Sequence, residues 1–488
     1  MSLATACGVT VLRSLCISIL GVLLSRHLSR LVETGYSRRS VFLLILILAP
    51  LLVPELIVGY AWWLISLKLV HYPFLIELIY SGLVLLKVVP VGMICFCLSA
   101  PSAISPEADF IRKSVKSPSA QIIKARAQWS FFLWKTVIRL FPVAALLFLL
   151  AFQEFEMASL LYRDSWTVWI FDAQAGGVPV TKTLAFLTGP FLVELILIAG
   201  VVMVLSRLQN RPALNQPYQT KNVTRVSAFL SWGYLLAAFC IIGLVPFLFI
   251  GWGSMLALGS LLQNQLQLKG TIQECVWGLF YGTTSGIAAW GLASFFFASK
   301  QAHRFKVAGF ICCLPGLCGA LTLALLIASA FLSHYIYWLY DTPLAIFVAL
   351  VLFLFPRAVF LKLILQTHSK NDASYLARLL SQSKNKVQAL KGDRLRWAVN
   401  GRMQYWAVVI LAFWAYWNVT LSSILAPSQA QPSAVRLYNL MHYGQNSVLS
   451  AITLLSLGIP VCVSLLLLPV VKKLWILSSN RSGLTETE

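Results

Sequence analysis

Ionisable side chains inside long apolar runs are the residues of this chain most able to do chemistry. Glu55, Lys87 and Glu194 each fall within a stretch apolar enough to cross a bilayer. A charge held in hydrocarbon is costly and is kept for ion or solute handling, or as one member of a compensated pair. Glu55 and Lys87 lie on neighbouring runs, so they form either a packing pair or part of a pathway lining. Pro54 and Pro315 each fall inside an apolar run, where a proline frees a backbone carbonyl and kinks the helix. Arg13, Arg139, Arg357 and Lys362 lie nearer run ends, where long basic side chains reach towards headgroups. The ten cysteines form no CxxC or Cys/His ligand pattern, and His71, His334 and His442 lack a matching carboxylate cluster. The sequence therefore assigns no metal site, cofactor or catalytic group, and the cysteines read as apolar packing residues.

The elements that position these residues are membrane helices. Hydrophobic residues make up 59% of the 488-residue chain and charged ones 11%, well under the share in a soluble domain. Continuous apolar runs occur near 8–25, 41–65, 75–98, 137–153, 183–205, 227–250, 271–297, 307–333, 337–363, 403–426 and 447–471. They lack the alternation of barrel strands, so the expected fold is all-α, a polytopic integral membrane protein of about 11 spans.

The net charge of +22 is not a nucleic-acid footprint once its carriers are placed. With loops numbered alternately from an outside N-terminus, those on one side (26–40, 101–135, 206–226, 298–306, 365–402 and 472–488) hold 28 Lys and Arg. The opposite loops hold five. The positive-inside rule then sets the N-terminus outside and the C-terminus in the cytoplasm. The basic loops would face anionic lipid headgroups.

The chain also repeats itself about 265 residues on. Val53-Pro54-Glu55-Leu56 aligns with Leu314-Pro315-Gly316-Leu317, and Val89-Pro90 with Phe355-Pro356. The segment Glu154–Leu161 aligns with Asn418–Leu425, and Ile170-Phe171-Asp172 with Leu437-Tyr438-Asn439. This divides the chain into a first half at 1–205 with about five spans, a polar linker at 206–226, and a second half at 227–488 with about six. Duplicated bundles of this kind enclose a pathway in many transporters, which makes Pro54, Glu55, Lys87, Glu194, Pro315, Glu154 and Asn418 candidate pathway residues.

Two long basic loops, 101–135 and 366–402, occupy equivalent places in the halves. In the second, Ala373–Leu380 carries apolar residues at helical spacing, and Val387-Gln388-Ala389-Leu390 continues the pattern after a polar break. Each loop is expected to hold a short helix that docks a cytoplasmic partner.

These landmarks resemble the membrane subunits of binding-protein-dependent ABC importers, most closely the fused two-half permeases of the iron(III) and thiamine type. The resemblance spans nearly the whole chain. It rests on Ala49-Pro50-Leu51-Leu52-Val53-Pro54, the late proline of Tyr80–Pro90, the Gln153–Ser159 segment, and Ala434–Gly444. The "EAA" loops depart from the family pattern. Pro106-Glu107-Ala108-Asp109 is followed by Lys113 where the family has glycine, and Lys386 stands near that place in the second loop. The resemblance implies coupling loops containing Glu107, Ala108, Lys113, Ser117, Ala120, Lys386, Ala389 and Leu390. It further implies two ATP-binding subunits as cytoplasmic partners, and a periplasmic or lipid-anchored solute-binding protein. The location would be the bacterial inner membrane, and the cargo iron(III), thiamine or a similar small solute. The chain has no phosphate-binding loop, so it is not expected to be the ATP-hydrolysing enzyme. An ion-coupled secondary transporter using Glu55 and Glu194, and a non-transporting permease relic, are the alternative readings.

Overall fold

A computed structural model describes residues 2–33, 41–98, 140–209, 225–298, 302–333, 335–368, 372–383, 385–442 and 446–482. All regular structure among them is helical. The elements are α1 (Leu3–Glu33), α2 (Val41–Leu52), α3 (Glu55–Lys68), α4 (Pro73–Leu98), α5 (140–152), α6 (Glu156–Leu160), α7 (Trp166–Ala175) and α8 (Val180–Gln209). A long helix follows, made of α9 (Arg225–Ala238), a π-turn at Phe239–Leu244 and α10 (Val245–Gln263). Then come α11 (Gln265–Ala298), α12 (Ala302–Leu317), α13 (Ala320–Phe331), α14 (Pro343–His368), α15 (Asp372–Ser381) and α16 (Lys386–Arg396). The described chain closes with α17 (Arg402–Tyr416), α18 (Val419–Leu425), α19 (Ser433–His442) and α20 (Asn446–Ser482).

Among the described residues, seven helices are long and apolar enough to cross a membrane, and up to ten spans result if each bent pair counts as one. The chain is thus a multi-pass membrane protein, with fewer such segments than the eleven expected. The difference is α11. At 34 residues it is long enough, but its Gly-, Thr- and Ser-rich middle makes it less apolar than the rest. One face of it packs on α17 and α14 through these small residues, while Val276, Phe280, Ile287 and Phe295 on it stay exposed.

The elements recur in order. Helices α4 and α14 are both 26 residues, both begin with proline in the first turn, and each carries a second proline past its midpoint, Pro90 and Pro356. Helices α7 and α19 are both ten residues. Gly21 on α1 approaches Leu147 on α5 (3.0 Å from a built Cβ), and Gly286 on α11 approaches Ala412 on α17 (3.1 Å). Both residues of this second contact lie 265 positions after those of the first.

By contacts the chain forms two compact units, and these do not follow the repeat. One holds Met1–Val53, Leu64–Asp172 and Phe186–Val245; the other holds Pro54–Trp63, Ala173–Ala185 and Pro246–Glu488. A core of the first unit is built from Leu28, Leu43, Leu46, Val89, Met93 and Leu235. That of the second centres on Ala289, Leu323, Ala349, Leu350, Leu354 and Leu411. In the second unit Gly278, Gly282 and Gly286 form one stripe of α11 against α17. A Cβ on Gly282 would stand 2.6 Å from the Ala412 carbonyl oxygen, so the two backbones meet directly.

Candidate functional site: broken helices and buried charges

The spans expected at 41–65 and 307–333 are both broken. The chain bends by 81° between α2 and α3, and by 112° between α12 and α13. The first break falls at Val53-Pro54. Proline cannot donate to the helical ladder and pushes the preceding residue out of the helical region. The second falls at Cys318-Gly319, where Gly319 has φ +82°, a conformation available to glycine at no steric cost.

The structure corrects the proline alignment. Pro54 is buried at the break itself, whereas Pro315 lies inside α12, three residues before its break. The structural counterpart of Pro315 is Pro50, inside α2 and 265 positions earlier. Glu55 is the first residue of α3, directly after the break, where a carboxylate complements the positive end of the helix dipole. It belongs to the second unit, where it interacts electrostatically with the Arg357 guanidinium. Gly316 explains how α12 approaches α14. A Cβ there would be 2.3 Å from the Leu352 carbonyl oxygen and 2.8 Å from Pro356 Cδ. That carbonyl lies four residues before Pro356, so the ring deprives it of its helical donor.

Lys87 is buried in α4, and its Nζ donates to the Val53 carbonyl at 2.7 Å. A lysine there satisfies a carbonyl at the end of α2 that has no donor within its own helix. With Pro90 set on Pro356, Lys87 falls on Phe353, so this charge has no counterpart in the second half. Lys87→Met is expected to destabilise the protein by about 2 kcal/mol, the cost of a buried carbonyl losing a charged donor. A thermal-unfolding shift in detergent that matches wild type would show the bond to be immaterial.

Glu154 and Asn418 have matching roles. The Glu154 carboxylate accepts from the Met157 and Ala158 backbone N–H groups (2.6 and 3.1 Å) at the start of α6. Asn418 Oδ1 accepts from the Leu421 N–H (2.8 Å) at the start of α18. Asn418 is the N-cap of α18, Glu154 stands one residue before the N-cap Phe155 of α6 and caps its first turn from there, and both are buried. Glu154 also accepts from the Tyr80 hydroxyl at 2.6 Å. Arg13 lies 4.7 Å above the Tyr80 ring. It does not reach for a headgroup. Its Nε and Nη2 donate to the two Glu77 carboxylate oxygens at 2.5 and 3.1 Å, and Nη2 also donates to the Asp164 carbonyl at 3.0 Å. Thr167 Oγ1 donates to the Glu154 carbonyl, and Trp166 Nε1 to the Phe152 carbonyl. These bonds tie α1, α4, α5, α6 and α7 together. Glu194, fully buried in α8, accepts from Gln153 Nε2 at 2.9 Å.

Ser433 Oγ donates to the Tyr416 hydroxyl at 2.8 Å, and Arg436 pairs with Glu274 at 2.8 Å with both side chains about a quarter exposed. Tyr340 donates to the Ile424 carbonyl at 3.1 Å. Burial, with Asp341 and Tyr337 nearby, pushes the Tyr340 phenol up, so it stays protonated as a donor. Arg357 folds back on its own helix, bonding the Phe353 carbonyl at 2.8 Å, and Lys362 bonds Ser294 beneath the Trp290 ring, so neither reaches for a headgroup.

In the second loop α15 and α16 form a helical hairpin. A Cβ on Gly392 would lie 2.2 Å from the Ser381 backbone nitrogen, so this glycine is where the two helices touch. Ala377 is buried between them, while Tyr375, Leu376, Leu379, Val387 and Leu390 are exposed beside Arg378, Lys391, Arg394 and Arg396; Ala389 is half-buried. Lys386 is the first residue of α16. Glu107, Ala108, Lys113, Ser117 and Ala120 lie outside the described residues, as does most of the linker. Helix α16 continues through a π-turn at Trp397–Gly401 into α17, and a 56° bend at Trp417-Asn418 leads into α18.

Comparison with family models, with curated proteins and with solved structures finds no match.

Proposed function

We propose that this chain is the membrane-spanning subunit of a bacterial inner-membrane transporter that moves a small solute by alternating access. The observation that carries this reading is the pair of broken helices at matched places in the two repeats, α2/α3 and α12/α13. Interrupted helices in corresponding positions of repeated halves are where transporters build solute sites, because the broken ends offer backbone groups and dipole ends at membrane depth. The uneven distribution of basic residues supports an outside N-terminus and a cytoplasmic C-terminus.

The drive is proposed to come from two separate ATP-hydrolysing subunits, one of them seated on the α15–α16 hairpin. An apolar helical face left exposed among basic residues suits a protein partner, and α16 runs on through α17 to α18 as a lever. Iron(III) or a similar small solute, handed over by a solute-binding protein, is the cargo implied by the resemblance to ABC importers. The fully buried Glu194 favours an ion-coupled transporter as the second reading.

Purification in mild detergent followed by mass spectrometry separates the two. The first reading expects an ATPase to co-purify, and to be lost from a Leu379→Asp, Leu390→Asp double variant. Both residues are exposed, so the fold should survive the change. Folded wild-type protein that carries no ATPase in any preparation would overturn the ATP-driven reading in favour of ion coupling.

A further inference from the structure

Arg357 lies well inside the Pro343–Gln366 span of α14 and is half-buried. Its one hydrogen bond among the described residues runs from Nη1 to the Phe353 carbonyl of its own helix, and its guanidinium lies 3.7 Å from the centre of the Phe353 ring. Nε and Nη2 carry no hydrogen-bond partner there, and neither is fully enclosed, so a ligand can reach both. These two nitrogens form the edge that grips a carboxylate or phosphate with two parallel bonds. The fold does not call for the charge: in the register of Pro90 and Pro356, Arg357 falls on Val91 of α4. A cation kept at membrane depth with that edge unused marks a functional position.

We propose that Arg357 anchors a site for an anionic group, so that the solute moved by this chain carries a carboxylate or a phosphate. The position fits a solute site within the second unit. A Cβ on Gly316, three residues before the bend at Gly319, would stand 2.8 Å from the Cδ of Pro356, the neighbour of Arg357. Helix α13 also packs on α14, and it starts at that bend with no side chain capping its first amides, so its positive end adds to the attraction. Glu55, the first residue of α3, acts on the guanidinium electrostatically without a hydrogen bond to it. Its field offsets the cation when no solute is bound, which lowers the cost of holding a charge at this depth. Iron(III) then passes as an anionic chelate and not as a bare cation. The role as a cargo site rests on the transporter reading, whereas binding is measured on the purified chain without transport, so the two can fail separately.

The test titrates the whole chain in detergent with citrate or inorganic phosphate, at an ionic strength held constant with chloride, and reads the unfolding midpoint. Wild type is expected to show a saturable rise. Arg357→Gln should raise the half-saturating concentration at least roughly tenfold, for the loss of two charge-assisted bonds. Lys362→Gln, at a cation of the same helix already bonded to Ser294, should leave it unchanged. No saturable rise in wild type, or the same half-saturation in R357Q, would overturn the proposal. Equal weakening by R357Q and K362Q would do so too, since net charge alone would then explain the binding. A midpoint that responds to phosphatidylglycerol in the micelles and to neither soluble anion would assign the edge to a lipid headgroup and overturn the cargo site. If R357Q does not fold, Arg357→Lys, which keeps the charge and loses the two-pronged edge, is measured in its place with the same readings.

Discussion

Gly316→Val is expected to cost about 3 kcal/mol or more and to yield protein that aggregates on extraction. The reason is local. The new Cβ would be 2.3 Å from the Leu352 carbonyl oxygen, a backbone atom of α14 that cannot rotate away. Relief requires α12 to move off α14, which also pulls Gly316 from the Pro356 ring. Gly291→Val on α11 is the control, because nothing lies within 4 Å of its built Cβ. That variant should stay monodisperse on heating to the wild-type limit. Equal behaviour of the two variants in size-exclusion chromatography after a temperature series would show that α12 and α14 do not meet this way.

Glu154→Ala is expected to cost about 2–4 kcal/mol, and Asn418→Ala about 1 kcal/mol, although the two residues cap equivalent helices. Asn418 Oδ1 serves one amide. The Glu154 carboxylate serves two amides and the Tyr80 hydroxyl, and Tyr80 is 1% exposed, so its hydroxyl has no water to turn to. Glu154→Gln keeps one acceptor oxygen and should fall between. The order of unfolding midpoints, N418A above E154Q above E154A, is the measurable result. Coincidence of the two alanine variants would mean that the charge and the phenol add nothing to the cap.

The sequence disclosed what depends on composition and spacing. The apolar runs, the repeat and both helices of the second basic loop were legible, because hydropathy and helical periodicity are local properties. Kinks were legible from Pro54 and Pro315, but not that the helices break outright, nor where the second break falls. A run such as 41–65 sums to a span whether or not Pro54 interrupts it, and the second break has no proline at all, only the positive φ of Gly319. Pro50 and Pro54 lie four residues apart, so the repeat pattern alone does not decide which corresponds to Pro315. The Arg13–Glu77 pair joins residues 64 positions apart, a separation that periodicity cannot see. Gly278, Gly282 and Gly286 are spaced for close helix packing, a signal present in the sequence, and they mark the α11–α17 contact. Glu154 and Asn418 were aligned correctly as a pair, yet their shared work as caps shows only in the geometry.

The central claim, that solute passes at the broken helices, is tested most directly at Cys318, a native cysteine at the second break and 3% exposed in this conformation. In a variant with Cys318 as its only cysteine, placed in sealed vesicles, a membrane-impermeant maleimide is applied from each side, with and without ATP and the co-purified partner. Alternating access predicts labelling from one side in one condition and from the other side in the other. Protection from both sides in every condition, in protein that labels once denatured, would contradict a pathway at the breaks.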